Sequence, residues 1–267
     1  MILRVIGILG AFVRRDFLEQ NRYGPLWIGR IVGIFIEVYS TYFVAQLFNG
    51  SRSLDAYGGN YFDYAVVGVI TLQLLYAMTD ALPKVIGNAQ LQGTLEPLLT
   101  SPSSLWLILV GACSYSTMIE LVNLVIFGLA AWIVAHPFFL VQPRWEIVIG
   151  VLILHGICAW GLGVISASFL LAYKVTTPLN TWLLSGCSLL AGYFYPTNVM
   201  PGFLQTISHL FPFTYGIEAL RLAMRGQVVL GAIALFAFFT IIILTIAKWS
   251  FQKALLIARQ DGTLTYQ

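Results

Sequence analysis

Residues 93–102 read GTLEPLLTSP, a short polar segment punctuated by glycine and proline in a chain that is otherwise mostly apolar. The Thr94 hydroxyl can accept from a backbone N–H one turn on, which is how a helix is capped. Pro97 then falls in the first turn, where its missing N–H costs little, and Glu96 is favoured near the positive end of the helix dipole. Leu95, Leu98 and Leu99 give the segment an apolar face, and Ser101-Pro102 stops it. Two readings stay open at this point: a rigid element that receives force from a partner, or a structured loop lying against the membrane.

The segment lies between two long apolar stretches. The chain has 267 residues, of which 59% are hydrophobic and 9% charged, with a mean hydropathy of +0.85. Soluble domains carry roughly 25% charged residues, so this surface belongs in lipid. A crossing helix needs about 20 residues, and the pattern gives six spans: 26–48, 62–82, 105–134, 147–173, 178–195 and 229–249. Pro83-Lys84 closes the second, and residues 85–104 form the cytoplasmic connection that contains GTLEPLLTSP. Residues 1–24 precede the spans. On a helical wheel Ile2, Ile6, Leu9, Val13 and Phe17 share one face while Arg4, Arg15 and Arg22 lie opposite, as in a helix that lies in the interface instead of crossing it. Arg14 and Arg15 interrupt this first apolar run, so no cleavable leader is expected.

Lys and Arg near the span ends set the orientation. With the N-terminus inside, the inner side collects Arg4, Arg14, Arg15, Arg22, Arg30, Lys84, Lys174, Lys248, Lys253 and Arg259. The outer side collects Arg52, Arg144, Arg221 and Arg225. Both termini are therefore expected in the cytoplasm. Residues 196–228 are cut by Pro196, Pro201, Pro212, Gly216 and Gly226 into pieces too short to cross, which suits short helices that dip into the membrane and return where protein covers their backbone.

Ionisable residues inside spans need a reason. Glu37 and Glu120 fall near the middles of the first and third spans, and Asp80 is within i+4 reach of Lys84 if the helix continues. They belong either to a polar translocation surface or to hydrogen-bonded packing. Glu218, Arg221 and Arg225, at i, i+3 and i+7, are expected to form a salt-bridged ladder. Tyr39, Tyr42 and Phe43, with Tyr193, Phe194 and Tyr195, could line a path for a lipid-like substrate, though packing also explains each. Cys113, Cys158 and Cys187 lie in apolar spans and behave there as small hydrophobes, so neither a disulfide nor a metal site is expected.

GTLEPLLTSP, together with AGYFYPTNVMPGFLQTISHLFPFTYGIEALR at 191–221, resembles the permease subunits of ABC-2 type exporters. The similarity runs over essentially the whole chain and is nearer to the drug and lipo-oligosaccharide branch. It implies an all-α membrane protein with an N-terminal interface helix (Arg4, Arg15, Arg22) and a six-span permease domain over 25–267. It also implies a coupling helix that docks on an ATPase through Gly93, Thr94, Leu95, Glu96, Leu98 and Leu99. The third implied element is an extracytoplasmic re-entrant pair carrying Pro196, Pro201, Pro212, Tyr215, Glu218 and Arg221. The implied partners are two ATPase subunits, which bind ATP and Mg, and a second permease copy, most simply as a homodimer in the inner membrane. In the family the first, second and fifth spans border the dimer interface and the substrate path, which favours a role for Glu37.

No Gly-x-x-x-x-Gly-Lys-Ser/Thr occurs in the chain, so no phosphate loop of that kind serves ATP here. No cofactor, catalytic residue or nucleic-acid partner is expected, and the substrate is expected to be amphipathic. Two alternatives come from other classes. Ser185 and His155 could be the nucleophile and base of a rhomboid-like hydrolase, although Ser185 lacks a Gly-x-Ser context. A channel would need a filter or charged ring, and the sequence offers none.

Overall fold

A computed structural model describes residues 2–20, 25–48, 60–95, 97, 105–135, 143–173 and 177–260. They form nine α-helices: α1 Ile2–Gln20, α2 Pro25–Phe48, α3 Tyr61–Leu91, α4 Leu105–Ala135, α5 Trp145–Tyr173, α6 Thr177–Leu190, α7 Gly202–Ser208, α8 Pro212–Met224 and α9 Leu230–Gln260. A 3-10 turn, Thr197–Val199, precedes α7. No strand occurs among the described residues. Five helices (α2, α3, α4, α5 and α9) are long and apolar enough to cross a membrane.

The helix α3 is the centre of the bundle. Of its apolar window 72% is buried, against 17% for α2 and 22% for α4 and for α9. Its partners α2, α4, α5 and α8 surround it, and α9 packs on α5 and α8. Leu75, Met78, Leu162, Tyr193, Phe213 and Phe236 share one core cluster. A second cluster joins the far end of α3 to α4, α5 and α9 through Leu82, Ile86, Leu109, Leu171 and Phe251. Between helices in lipid, close approach of small residues replaces the hydrophobic drive. Gly163 of α5 shows it, because a Cβ there would come within 2.8 Å of the Thr79 carbonyl of α3.

Three element boundaries differ from the sequence expectation. The second span was expected to stop at Leu82, with the connection starting at 85, but α3 continues through Pro83 to Leu91. Proline removes one donor and leaves the carbonyl four residues back without its helical partner. Here that carbonyl is Thr79's, close against Gly163, and burial of Leu82, Ile86 and Ala89 in the second core cluster offsets the cost of carrying the helix past the break. The last span was expected to end near Trp249, whereas α9 reaches Gln260; Ala247, Phe251, Ala254 and Ala258 keep burying one stripe.

The expected fifth span, 178–195, is helical only to Leu190. Gly192 then takes φ +79, a left-handed conformation that ends the helix. At 14 residues and 1.5 Å per residue, α6 rises about 21 Å, short of the roughly 30 Å of hydrocarbon. The proline-cut stretch after it forms only short pieces, α7 of 7 residues and α8 of 13, in keeping with the sequence pattern.

The helix α1 is separate from α2 and lies along α4, with the Phe12 ring over Gly111. Phe12 and Val13 are half-buried, while Arg14, Arg15, Phe17 and Leu18 are exposed.

Candidate functional site

The polar residues that the sequence scatters along three spans meet in one place. A cavity of about 490 Å³ between α2, α3 and α4 is lined by Arg30, Glu37, Gln73, Tyr76, Asp80, Lys84, Glu120 and Asn123, with Gly33, Ile34 and Ala77 between them. Its size is within the range of small-molecule sites. Each carboxylate is held. Gln73 Nε2 donates to Glu37 Oε2 at 2.7 Å, and Asn123 Nδ2 donates to Glu120 Oε2 at 3.1 Å. Lys84 Nζ lies 3.3 Å from Asp80 Oδ2, and Asn180 Nδ2 donates to Asp80 Oδ1. Arg30 lies over the Trp27 ring at 5.7 Å.

A second cavity, of about 410 Å³, lies on the other side of α3, against α6. Tyr76, Asp80 and Lys84 border both cavities, and Asn180, Thr181, Leu184 and Ser185 complete the second. The sequence reading singled out Glu37, Asp80, Lys84 and Glu120 but missed Gln73, Asn123 and Asn180. Two of these carried a legible signal: Gln73 and Asn123 are lone amides in apolar runs, and Asn123 is one helical turn from Glu120.

At the far end of α6, Arg221 is buried and turned inward. Its Nη1 donates to the Gly192 carbonyl at 2.8 Å, and its Nη2 to the carbonyls of Tyr193 at 2.8 Å and Tyr64 at 3.3 Å. The guanidinium also lies 3.4 Å from the centre of the Tyr64 ring. This replaces the expected ladder: Glu218 is exposed on α8 while the Arg221 side chain points into the core. The ladder was drawn from spacing along one helix, and spacing cannot register carbonyls 28 residues away. In the same segment the Tyr215 hydroxyl donates to the His209 carbonyl. Pro212 opens α8 and is buried with Pro196, whereas Pro201 is exposed.

Of the aromatic residues considered for a path, Phe43 is in ring contact with both Tyr39 and Tyr42, and Tyr39 and Phe43 line an apolar groove of about 470 Å³ on α2. Tyr39 and Phe43 are exposed on the outer side of α2, and Tyr42 packs edge-on against Phe62. Tyr193 is fully buried, its hydroxyl 3.4 Å from His155 Nε2. The Tyr195 hydroxyl donates to the Leu189 carbonyl and braces the end of α6.

In the 93–102 segment, Gly93 has φ +66. Its N–H donates to the Gln90 carbonyl and that of Thr94 to the Ala89 carbonyl, the paired bonds that close a helix C-terminus around a left-handed glycine. The Thr94 hydroxyl donates back to the Ala89 carbonyl at 3.4 Å at the end of α3; the cap expected at the start of the next helix falls on Glu96, outside the described residues. Leu95 then plugs the second core cluster beside Leu82, Ile86 and Leu109. Glu96, Leu98 and Leu99 lie outside the described residues, as do Arg22 and the Arg4 side chain. Arg15 is exposed, 2.7 Å from Asp16.

The hydrolase pair is not assembled. His155 is enclosed by Tyr193, Phe213 and Phe236, whereas Ser185 is on the exposed side of α6, bordering the other cavity.

Long apolar helices with an open groove of polar residues among them define a multi-pass helical membrane protein. The profile of the ABC-2 type transporter family matches residues 9–225, and the chain belongs to that family. Relatives include the inner membrane transport permease YadH of Escherichia coli K12, 25% identical over 212 residues that cover 78% of this chain and 80% of the relative. The permease of the same name in Shigella flexneri matches to the same extent.

Proposed function

We propose that this chain is the membrane-spanning subunit of an ATP-driven exporter that moves an amphipathic substrate, such as a drug, lipid or glycolipid, out of the cytoplasm or inner leaflet. It crosses the inner membrane six times, with α6 and the turn after it as the fifth crossing and both termini in the cytoplasm. The 85–104 connection couples it to an ATPase subunit, present in two copies, which binds ATP and Mg. The helix α1 lies in the inner interface, and α7 with the start of α8 dips into the outer leaflet as the re-entrant pair. The unit functions as a homodimer.

The observation that carries this reading is the cavity at Glu37, Asp80 and Glu120. Charged groups at membrane depth mark substrate pathways, and this cavity lies near the Arg30 and Lys84 ends of its helices, the side that the charge pattern assigns to the cytoplasm. Substrate then enters beside Glu37, and ATP closure in the partner pushes the coupling segment against α3 and α4, where Leu95 is already anchored.

The test is ATP-dependent transport of fluorescent amphiphiles by the complex reconstituted in vesicles. Wild-type protein is expected to transport, and Glu37→Gln to lower the rate at unchanged assembly. Equal rates for wild type and variant would remove Glu37 from the path. Absence of any nucleotide-dependent transport with a bound ATPase subunit would count against export itself.

A further inference from the structure

We propose that the groove between α2, α3 and α4 selects amphiphiles whose head carries a positive charge. The proposal rests on the export reading and names the class of substrate. The charges on the groove wall are unequal, with Glu37, Asp80 and Glu120 set against Arg30 and Lys84. Lys84 is paired with Asp80, 3.3 Å away. Arg30 lies over the Trp27 ring, and the seven residues that separate it from Glu37 rise about 10.5 Å along the helix. Neither Glu37 nor Glu120 takes part in an ion pair among the described residues. The two glutamates therefore face Arg30 alone, and the groove holds one negative charge in excess.

Each glutamate keeps an oxygen for a ligand. Gln73 and Asn123 donate to the Oε2 atoms of Glu37 and Glu120, at 2.7 Å and 3.1 Å. The Oε1 atoms accept no hydrogen bond among the described residues. An amide neutralises no charge, and both glutamates fall near the middles of long apolar helices. A carboxylate at such depth is costly unless an opposite charge reaches it. A cationic head supplies that charge, and a neutral head does not. An anionic head would meet the excess negative charge, and that repulsion is strong where water is scarce. Tyr76 also lines the groove and is partly exposed, and the face of an aromatic ring attracts ammonium heads.

The geometry favours an organic cation over an inorganic one. The three carboxylates come from three different helices, and no three acidic, histidine or cysteine side chains among the described residues are grouped as they would be around a metal ion. A diffuse charge such as a quaternary ammonium needs no tight shell of ligands. At about 490 Å³ the groove is large enough for the head of a drug-sized molecule. Its wall α4 keeps most of its apolar window uncovered, so an apolar tail can lie along α4 in the hydrocarbon.

Equilibrium binding to the purified chain in phosphatidylcholine nanodiscs tests this with no ATPase subunit present. Three fluorescent probes share a coumarin and a decyl chain and end in trimethylammonium, hydroxyl or sulfonate; empty discs give the background. The trimethylammonium probe should bind about tenfold tighter than the hydroxyl probe, and the sulfonate probe should bind most weakly. Glu37→Gln and Glu120→Gln, which keep the side-chain shape, should each lower that ratio, and the double variant should bring it close to one. Arg30→Gln, which removes the opposing charge, should raise it.

Equal affinity for the charged and neutral probes, tightest binding of the sulfonate, binding of none of the three, or a preference that survives in the double variant would overturn the proposal. If the double variant does not fold, the single variants and Arg30→Gln decide it. The export reading fails separately, through absence of nucleotide-dependent transport by the complex with its ATPase subunit, and the binding ratio is measured independently of that outcome.

Discussion

Gly163 and Gly93 show how much rests on single positions. At Gly163 the α5 backbone meets the Thr79 carbonyl of α3, the one that Pro83 leaves without its helical donor. Gly163→Leu should push the two helices apart at the cost of overpacking, about 1–3 kcal/mol. It should appear as a lower temperature at which the detergent-solubilised protein loses its monodisperse elution, and an unchanged temperature would contradict the close approach. At Gly93 the left-handed turn costs a β-branched residue roughly 1–2 kcal/mol. Gly93→Val should redirect the chain into the coupling segment, so ATPase recruitment is expected to fall more than thermal stability does; recruitment at the wild-type level would show that the turn does not aim this segment. The sequence marked Gly93 as punctuation but not as the end of α3, because the helix was expected to stop at Pro83. The role of Arg221 was not legible, since the groups that use it are carbonyls, which every residue type supplies equally.

At the scale of elements, the apolar runs located α2, α4 and α5 closely, because burial in lipid is a property of composition. Helix ends were read less well where a breaker competes with packing. Pro83 signals a stop, yet α3 passes through it because Ile86 and Ala89 beyond it bury apolar surface in the second core cluster. Gly192 ended α6 inside a stretch whose hydropathy gives no warning, and the side chains that make the ending tolerable come from α3 and α8. The cavity between α2, α3 and α4 was legible in its carboxylates, whereas the pairing of Gln73 with Glu37 was not, since pairing across helices depends on register. A cycle of Glu37→Leu and Gln73→Leu measures that pairing. The two changes should be non-additive in unfolding free energy by about 0.6 kcal/mol, the mean for hydrogen bonds between membrane helices. Additive losses would mean that the hydrogen bond contributes nothing to holding α2 on α3.

For the whole molecule, α2 and α9 leave most of their apolar surface uncovered. The surface of α2 beside the Glu37 cavity is where the homodimer reading places the second copy. Cysteines introduced at Phe43 in an otherwise accessible-cysteine-free protein should cross-link between two chains in native membranes. Absence of cross-linking there, with efficient cross-linking from α9, would move the interface to the opposite side.

As an exporter subunit the chain is expected to convert work done by another subunit, delivered through the segment after α3. ATP hydrolysis by the purified protein, alone and co-purified with its ATPase subunit, measures this most directly. No hydrolysis is expected from the chain alone and vanadate-sensitive hydrolysis from the complex, with Glu96→Lys weakening capture of the ATPase subunit while membrane insertion is unchanged. Hydrolysis by the chain alone, or full capture and transport by the Glu96→Lys complex, would contradict it.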